Sequence, residues 1–312
     1  MKRKKFNKKG MFFTIMTIAV LSLFVVSYGV HSYVKDRTAI NKRIETMNNF
    51  VFSIEQDLPR KLYLSGFTTI FLIEKYIAET GSYISNGDDF NSLFQEAFYD
   101  GSIKGVDHAS EGGIMYGVTL SGILNSLNDM AKDMNMNISL VNPVVSVGQE
   151  DPWNVKISLT TNLLIEDDGN LALWERLAVI NSYVPIKNFE DPLYLVETNG
   201  LITNKINQTP YDVPVLLSDL SNHVEGKYYI NSSDGPSFID RLEGKKTESV
   251  EGTGIESLVY LPDLSAQGIP VKDKSVVDYI YFSVSDPDPL TTPDGMPDWF
   301  KLDDPHVLIY GV

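Results

Sequence analysis

Hydrophobic residues first gather in one long uncharged segment near the N-terminus. Residues 11–30 read MFFTIMTIAVLSLFVVSYGV and contain no charged side chain. A helix of 20 residues at about 1.5 Å per residue is about 30 Å long, which matches the hydrocarbon core of a bilayer. The pattern therefore predicts a transmembrane helix over residues 11–30.

Beyond this segment, apolar residues recur every three or four positions, which places them on one face of a helix. The next helix breaker is Pro59. The sequence therefore predicts one continuous helix over residues 11–58, with an amphipathic outer half. This apolar seam either docks on the chain's own domain or packs against other helices. Its members are Ile40, Ile44, Met47, Val51, Ile54 and Leu58.

Further helices are predicted before residue 135. Residues 62–73 are strongly apolar but too short to span a bilayer, so they predict a separate buried helix. Asp88 and Asp89 can cap a short helix, and a glycine-rich loop at 101–117 leads into another helix. The apolar face of the capped helix consists of Phe90, Leu93, Phe94, Ala97 and Phe98.

From about residue 138 the period of the pattern changes to two, which is typical of half-buried strands. A strand over 155–165, a turn at 167–170 and a return strand over 171–186 join residues 138–147 in an antiparallel meander. In the C-terminal third, the pattern predicts one short helix and several short strands. The helix covers 237–242, and the strands cover 227–230, 257–261, 279–284 and 306–310.

Helices followed by strands predict an α+β fold. In this fold an N-terminal transmembrane helix continues into a long amphipathic helix, and helices pack on a mostly antiparallel β-sheet. We divide the chain into a basic leader (1–10), the transmembrane helix (11–30), a helical region (31–135) and a β-rich extracytoplasmic domain (136–312). The pattern leaves open whether residues 200–312 form a separate domain.

The distribution of charge orients the predicted anchor. Residues 1–10 carry six Lys or Arg and no acid, so they should stay in the cytoplasm and send the C-terminus outward. Removing those six from the 26 basic residues leaves 20 against 41 acidic ones. Such an acidic body repels phosphate backbones, which argues against a nucleic-acid partner. The absence of cysteine excludes disulfides and thiolate metal sites.

Three fates are open for the apolar segment. It can remain as an uncleaved signal anchor. It can be a secretory signal cut after Gly29, because Ser27 and Gly29 are small residues at the required spacing. It can also be cut before the apolar run, after Gly10, so that the hydrophobic helix stays on the mature protein.

The sequence KKG at residues 8–10, followed by MFFTI at 11–15, resembles the class III signal of archaeal type IV pilin-like proteins. The resemblance is limited to about the first 30 residues. It implies cleavage between Gly10 and Met11 by a prepilin peptidase, and assembly through the exposed helix with copies or other pilin-like subunits. Ile15 stands where many bacterial pilins carry Glu, a position at which archaeal members are more tolerant.

No catalytic motif is evident in the sequence. The four histidines, at positions 31, 108, 223 and 306, are far apart and show no metal-ligand spacing. No G-x-S-x-G motif is present either. A Ser-His-Asp set assembled by the fold stays open, so an anchored hydrolase is retained as an alternative.

An acidic stretch near the C-terminus is the candidate for a cation site. Its carboxylates are Asp286, Asp288, Asp294 and Asp298. Calcium loops place carboxylates at positions 1, 3 and 5 with glycine at position 6. Setting Gly295 at position 6 leaves positions 1 and 3 without carboxylates. The sequence therefore favours a Pro- and Asp-rich surface turn over calcium, and no other cofactor is predicted.

Three triplets match the acceptor pattern for N-glycosylation, and they begin at Asn137, Asn207 and Asn231. A pattern this short also arises by chance. Asn231 is the best placed, because it follows an apolar strand and precedes a turn.

These features together predict a non-enzymatic, pilin-like surface subunit. Its helix would anchor it in the cell membrane or a filament, and its acidic α+β domain would face outward for adhesion or contact. The first alternative is a monomeric, signal-anchored binding protein that never assembles. The second is the anchored hydrolase.

Overall fold

The computed structural model describes residues 8–84, 89–169, 172–285 and 287–310. Its longest element is helix α1, Lys8–Thr80, which has 73 residues and is about 110 Å long at the usual rise. This single helix replaces the two that the sequence predicted at 11–58 and 62–73. The prediction that the helix ends at Pro59 was wrong.

Pro59 lies inside α1, and buried residues on both sides explain why the helix continues. A proline in a helix interior loses one backbone hydrogen bond and costs about 3 kcal/mol. Ile54, Leu58 and Leu62 are all buried in the same core. Burying each such side chain contributes about 1.5–3 kcal/mol. Their combined burial outweighs the cost of Pro59.

The next two helices are α2, Phe90–Asp100, and α3, Leu120–Lys132. Asp89 caps α2, since its side chain accepts a 2.6 Å hydrogen bond from the Ser92 amide; Asp88 lies outside the described residues. All five apolar residues predicted for the buried face of α2 are buried. The loop between the helices contains a small hairpin of β1, Ser102–Ile103, and β2, Val106–Asp107.

The predicted meander is confirmed as a three-stranded antiparallel sheet. Its strands are β3, Met136–Asp151, β4, Asn154–Asp167, and β5, Leu173–Pro185, with β4 in the centre. Helix α1 crosses the inner face of this sheet at Gly66. A Cβ atom there would lie 1.8 Å from Ile157 Cδ1, so any larger residue would force the Ile157 side chain to move. Asn170, the last residue of the predicted turn at 167–170, lies outside the described residues.

After the sheet, the described chain forms short helices and two-stranded ladders rather than a β-rich layer. The predicted helix at 237–242 is confirmed, but the strand predicted at 306–310 is mainly helical. The one predicted at 279–284 is a helix up to residue 281 and then a turn, and the one at 257–261 is strand only at its first residue. The elements are α4 Pro192–Glu197, α5 Leu217–Glu225, β6 Tyr229–Ser232, α6 Phe238–Leu242, β7 Gly254–Ser257, α7 Leu261–Ala266, α8 Asp278–Tyr281, β8 Leu290–Thr291, β9 Leu302–Asp303 and α9 Asp304–Ile309.

The buried apolar side chains form two clusters. The first lies between α1, α2, α3 and the sheet, and it also takes in Phe238 and Ile255 from the C-terminal third. The second is built almost wholly from residues between Leu193 and Tyr310. The C-terminal third thus has a core of its own while contributing side chains to the first one.

Candidate membrane and assembly site

The N-terminal third of α1 is apolar and uncovered. Every residue from Met11 to Val34 is exposed, and within the described ranges α1 is the one helix long and apolar enough to cross a membrane. Moving a large apolar side chain out of water gains about 1.5–3 kcal/mol. The 16 exposed large apolar side chains between Met11 and Val34 therefore need lipid or other helices around them.

The helix passes from this uncovered segment into the domain over a short distance. The predicted seam divides at this point: Met47 and Val51 are 4% and 7% exposed, whereas Ile40 and Ile44 are 40% and 42% exposed. The seam from Met47 onward therefore packs on the chain's own domain. Ile40 and Ile44 lie beyond its edge.

Arg43 makes the first polar contact between α1 and the domain. Its Nη2 atom donates to the carbonyl oxygens of Met134 and Asn135 at 2.6 and 2.8 Å, and its Nε atom donates to Asp167. These bonds join α1 to the turn before β3 and to the end of β4. They fix the point at which the helix leaves the domain.

The proposed cleavage point lies at the start of this helix. Gly10 falls within the first turn of α1, and the Met11 side chain is exposed. Cleavage between them stays a prediction. So does glycosylation, for which Asn137 and Asn231 are exposed while Asn207 is half-buried and donates to the Lys205 carbonyl oxygen at 3.3 Å.

The candidate calcium residues lie around β8. Asp286 falls outside the described residues, and Asp288, Asp294 and Asp298 are exposed. In the part of the chain that the structure describes, no three His, Asp or Glu side chains lie close enough together to hold a metal ion. Calcium binding at this stretch stays a prediction.

A buried ion cluster that the sequence did not reveal joins three helices. Arg241 of α6 donates from Nη1 to Asp191 Oδ2 at 2.6 Å and to Asp278 Oδ2 at 2.9 Å. None of the three side chains is exposed to solvent. Tyr229 and Ser257 also donate to these carboxylates, at 2.8 and 2.7 Å. The cluster is closed to substrates, so we assign it a structural role.

Burial has the largest influence on the pKa of Asp191. Burial raises the pKa of Asp191, the positive charge of Arg241 lowers it, and the net direction is upward. Burial lowers the pKa of Arg241, but the two carboxylates outweigh it and raise that pKa above its ordinary value. The guanidinium therefore stays charged and holds the helices together.

A second buried cluster surrounds His306. Its Nδ1 atom lies 2.7 Å from Asp303 Oδ2, and its Nε2 atom lies 3.3 Å from Glu256 Oε2. Burial lowers the pKa of His306, but hydrogen bonds with Asp303 and Glu256 outweigh it and raise the pKa to about 10. A doubly protonated imidazole cannot act as a general base.

The same cluster bears on the hydrolase alternative. Ser275 Oγ donates to Asp303 Oδ1 at 2.6 Å rather than to His306. A nucleophilic serine needs its hydroxyl on a neutral base, so these three residues do not form a catalytic triad. Serine, aspartate and histidine are near one another here, but Asp303 lies between the other two, whereas a triad needs the histidine between the serine and the aspartate.

Similarity to known proteins gives no further guide to the site. No family model matches the chain, and no curated protein or solved structure matches it either.

Proposed function

We propose that this protein is a membrane-anchored, extracytoplasmic, pilin-like subunit with a non-enzymatic role in adhesion or contact. One observation carries the proposal: a single helix, α1, is wholly exposed over Met11–Val34 and buries one face in the domain from Met47 onward. Its two ends therefore need two different environments. The first is lipid or a bundle of similar helices, and the second is the protein's own core.

The order of charged and apolar residues supports an outward-facing domain. The six cations of residues 1–10 precede the uncharged segment, and cations on the short side of a span favour the cytoplasm. The acidic domain then faces the outside. A protease added to intact cells should digest the chain beyond about residue 35 and spare the basic leader. Labelling of that leader by an impermeant amine reagent would contradict this topology.

The mature mass of the protein distinguishes the three fates of the apolar segment. Under the proposal, the mature chain starts at Met11, and Gly10→Val retains the uncut precursor. Gly29→Val is the matched control, because it makes the same change in the same helix and a Cβ atom at Gly29 meets no atom within 4 Å. It should still give a mature chain that starts at Met11, with a mass that differs only by the substitution itself.

The opposite outcomes identify the alternatives. An intact Met1 in the wild-type protein supports the uncleaved anchor, and an effect of Gly29→Val alone supports a secretory signal. If Gly10→Val leaves the mature mass of the wild type unaltered, the pilin-like proposal is wrong.

A monomeric, anchored binding protein is the second candidate. It is favoured by a cavity between the outer end of α1 and residues 187–205, which is far along the helix from the apolar segment. Such a cavity needs no assembly to bind a ligand. The two candidates differ in whether the anchored chain forms contacts with its copies.

A further inference from the structure

A cavity of about 570 Å³ lies beside the outer end of α1. Phe67 and Phe71 of α1 form one wall, and Phe189 and Leu195 form the other. The Phe67 and Phe189 rings are 5.3 Å apart between centroids. The cavity is therefore mostly apolar, and its aromatic walls come from segments that already touch each other.

The segments that line the cavity are held in place by backbone hydrogen bonds. Residues 188–191 pair with residues 204–206 through three such bonds of 2.8–2.9 Å. Glu74 of α1 accepts a hydrogen bond at Oε1 from the Glu190 amide. The cavity is thus built between fixed elements.

Two carboxylates, those of Glu74 and Glu190, belong to the polar part of the cavity wall. Glu74 is only 7% exposed, and its second oxygen, Oε2, has no hydrogen-bond partner among the described residues. Glu190 Oε2 is closed off from solvent and lacks a partner as well. A buried acceptor without a donor costs about 1–3 kcal/mol. That cost falls on Glu190 Oε2, whereas Glu74 Oε2 is open to the cavity and free to accept a hydrogen bond from a ligand.

The cations around the cavity do not supply a donor for these oxygens. Lys75 lies 3.6 Å from Glu79, and Lys205 lies 3.9 Å from Glu190 Oε1. Lys187 is exposed, as are the outer parts of the other two lysines. The positive charges thus stand at the rim, whereas the acceptors without partners lie deeper.

We propose that this cavity binds a small amphipathic amine. The ammonium group would donate to Glu74 Oε2, the negative charge of Glu190 would attract it, and the apolar body would lie against Phe67, Phe71 and Phe189. A cation close to aromatic rings gains additional attraction. The inference goes beyond the proposed function, since it holds whether or not the chain assembles.

The pKa of Glu74 makes the binding dependent on pH. The net pKa of Glu74 is about 7. Burial raises it most, the Glu190 amide lowers it, the Glu190 carboxylate raises it and Lys205 lowers it. The other charged groups at the cavity are Lys75 and Lys187. Because the ionised carboxylate attracts the ammonium, the affinity should fall about tenfold between pH 8 and pH 6.

The test uses the full chain in lipid nanodiscs and 2-phenylethylamine as the probe. Isothermal titration at pH 8 should show one saturable site, with empty nanodiscs as the blank. Glu74→Gln keeps the acceptor for the Glu190 amide but removes the charge, and it should weaken binding at least tenfold. Glu79→Gln is the matched control on the same helix and should bind as the wild type does.

A second variant and two related probes complete the test. Phe71→Ala changes a half-exposed side chain, so the fold should persist while binding weakens. 2-Phenylethanol should bind at least tenfold more weakly than the amine. Equal binding by Glu74→Gln, no saturable binding, or preferential binding of 3-phenylpropionate would overturn the proposal. The last outcome would assign the cavity to an apolar carboxylate held by the lysines. None of these results depends on assembly.

Discussion

Arg241 and Asp191 form a direct ion pair, 2.6 Å long, in a place that water does not reach. The pair joins α6 to the start of α4, and Asp278 extends it to α8. A single guanidinium thus bridges two carboxylates. Loss of the cation would leave two acids buried side by side.

Replacing Arg241 with methionine should therefore destabilise the fold strongly. Removing one partner of a buried ion pair costs about 3–5 kcal/mol. The loss measured by chemical denaturation should be smaller at pH 5 than at pH 7, because burial raises the pKa of Asp191 and its protonated form carries no charge. Arg176→Met is the control: Arg176 pairs with Glu55 but is about half exposed, and exposed pairs are worth less than about 1 kcal/mol.

The burial of one face of α1 predicts that a charged substitution on that face lowers stability far more than one on the opposite face. Val51→Asp buries a carboxylate without a partner and should lower the free energy of unfolding by several kcal/mol. Phe52 is the adjacent residue and is 61% exposed, so Phe52→Asp should leave stability nearly unchanged. Thermal melts of both variants measure the difference. Similar losses would show that α1 presents a different face to the domain.

Glu74 should make stability fall as the pH rises. Its pKa is about 7 in the folded protein against an ordinary value of 4.5, so the folded state binds more protons between these values. The stabilisation is complete below pH 4.5 and is lost as the pH rises through about 7. The total change is about 3 kcal/mol. Unfolding curves of the wild type and Glu74→Gln from pH 4.5 to 8 should diverge by this amount.

Calcium should have little effect on stability. A ligand that binds only the folded state raises the melting temperature, and the carboxylates of the candidate loop do not complete the known spacing. Adding millimolar calcium should therefore leave Tm unchanged. A rise of several degrees that disappears in Asp294→Ala would instead establish a site there.

Assembly should depend on the apolar third of α1. Ile18→Gln places a polar group on the uncovered segment and should reduce contacts between copies, while Phe52→Gln in the same helix should not. The chain has no cysteine, so Ser22→Cys provides one defined cross-linking position for both measurements. The fragment from residue 36 onward should fold with or without Phe52→Gln, since burial begins after that point. Equal cross-linking in the two variants would argue for a monomeric anchor.

The sequence predicted those elements whose patterns are long and regular. Helix α2, the meander and the Met47–Leu58 part of the seam each bury one face, so their apolar residues repeat with a clear period. The strand predicted at 306–310 failed because five residues are too few to separate the two periods. Its start contained a signal for a helix, since Asp304 and Pro305 suit a first turn.

The buried clusters and the cavity could not have been predicted in this way. Arg241 lies 50 positions from Asp191 and 37 from Asp278. No local pattern links charges at such separations, and only the packing of α4, α6 and α8 brings them together. The same holds for Glu74 and Glu190, which are 116 positions apart.

Because α1 is continuous, the number of residues between its apolar segment and the domain determines how the domain is rotated about the helix axis. Each residue turns an α-helix by about 100° and advances it by about 1.5 Å. Deleting one residue between 35 and 42 would therefore swing the domain about 100° around the helix axis relative to the apolar segment. Deleting seven would return it to within about 20° of its original direction but draw it about 10 Å inward. The length of α1 between the apolar segment and the domain thus determines the direction in which each face of the domain points.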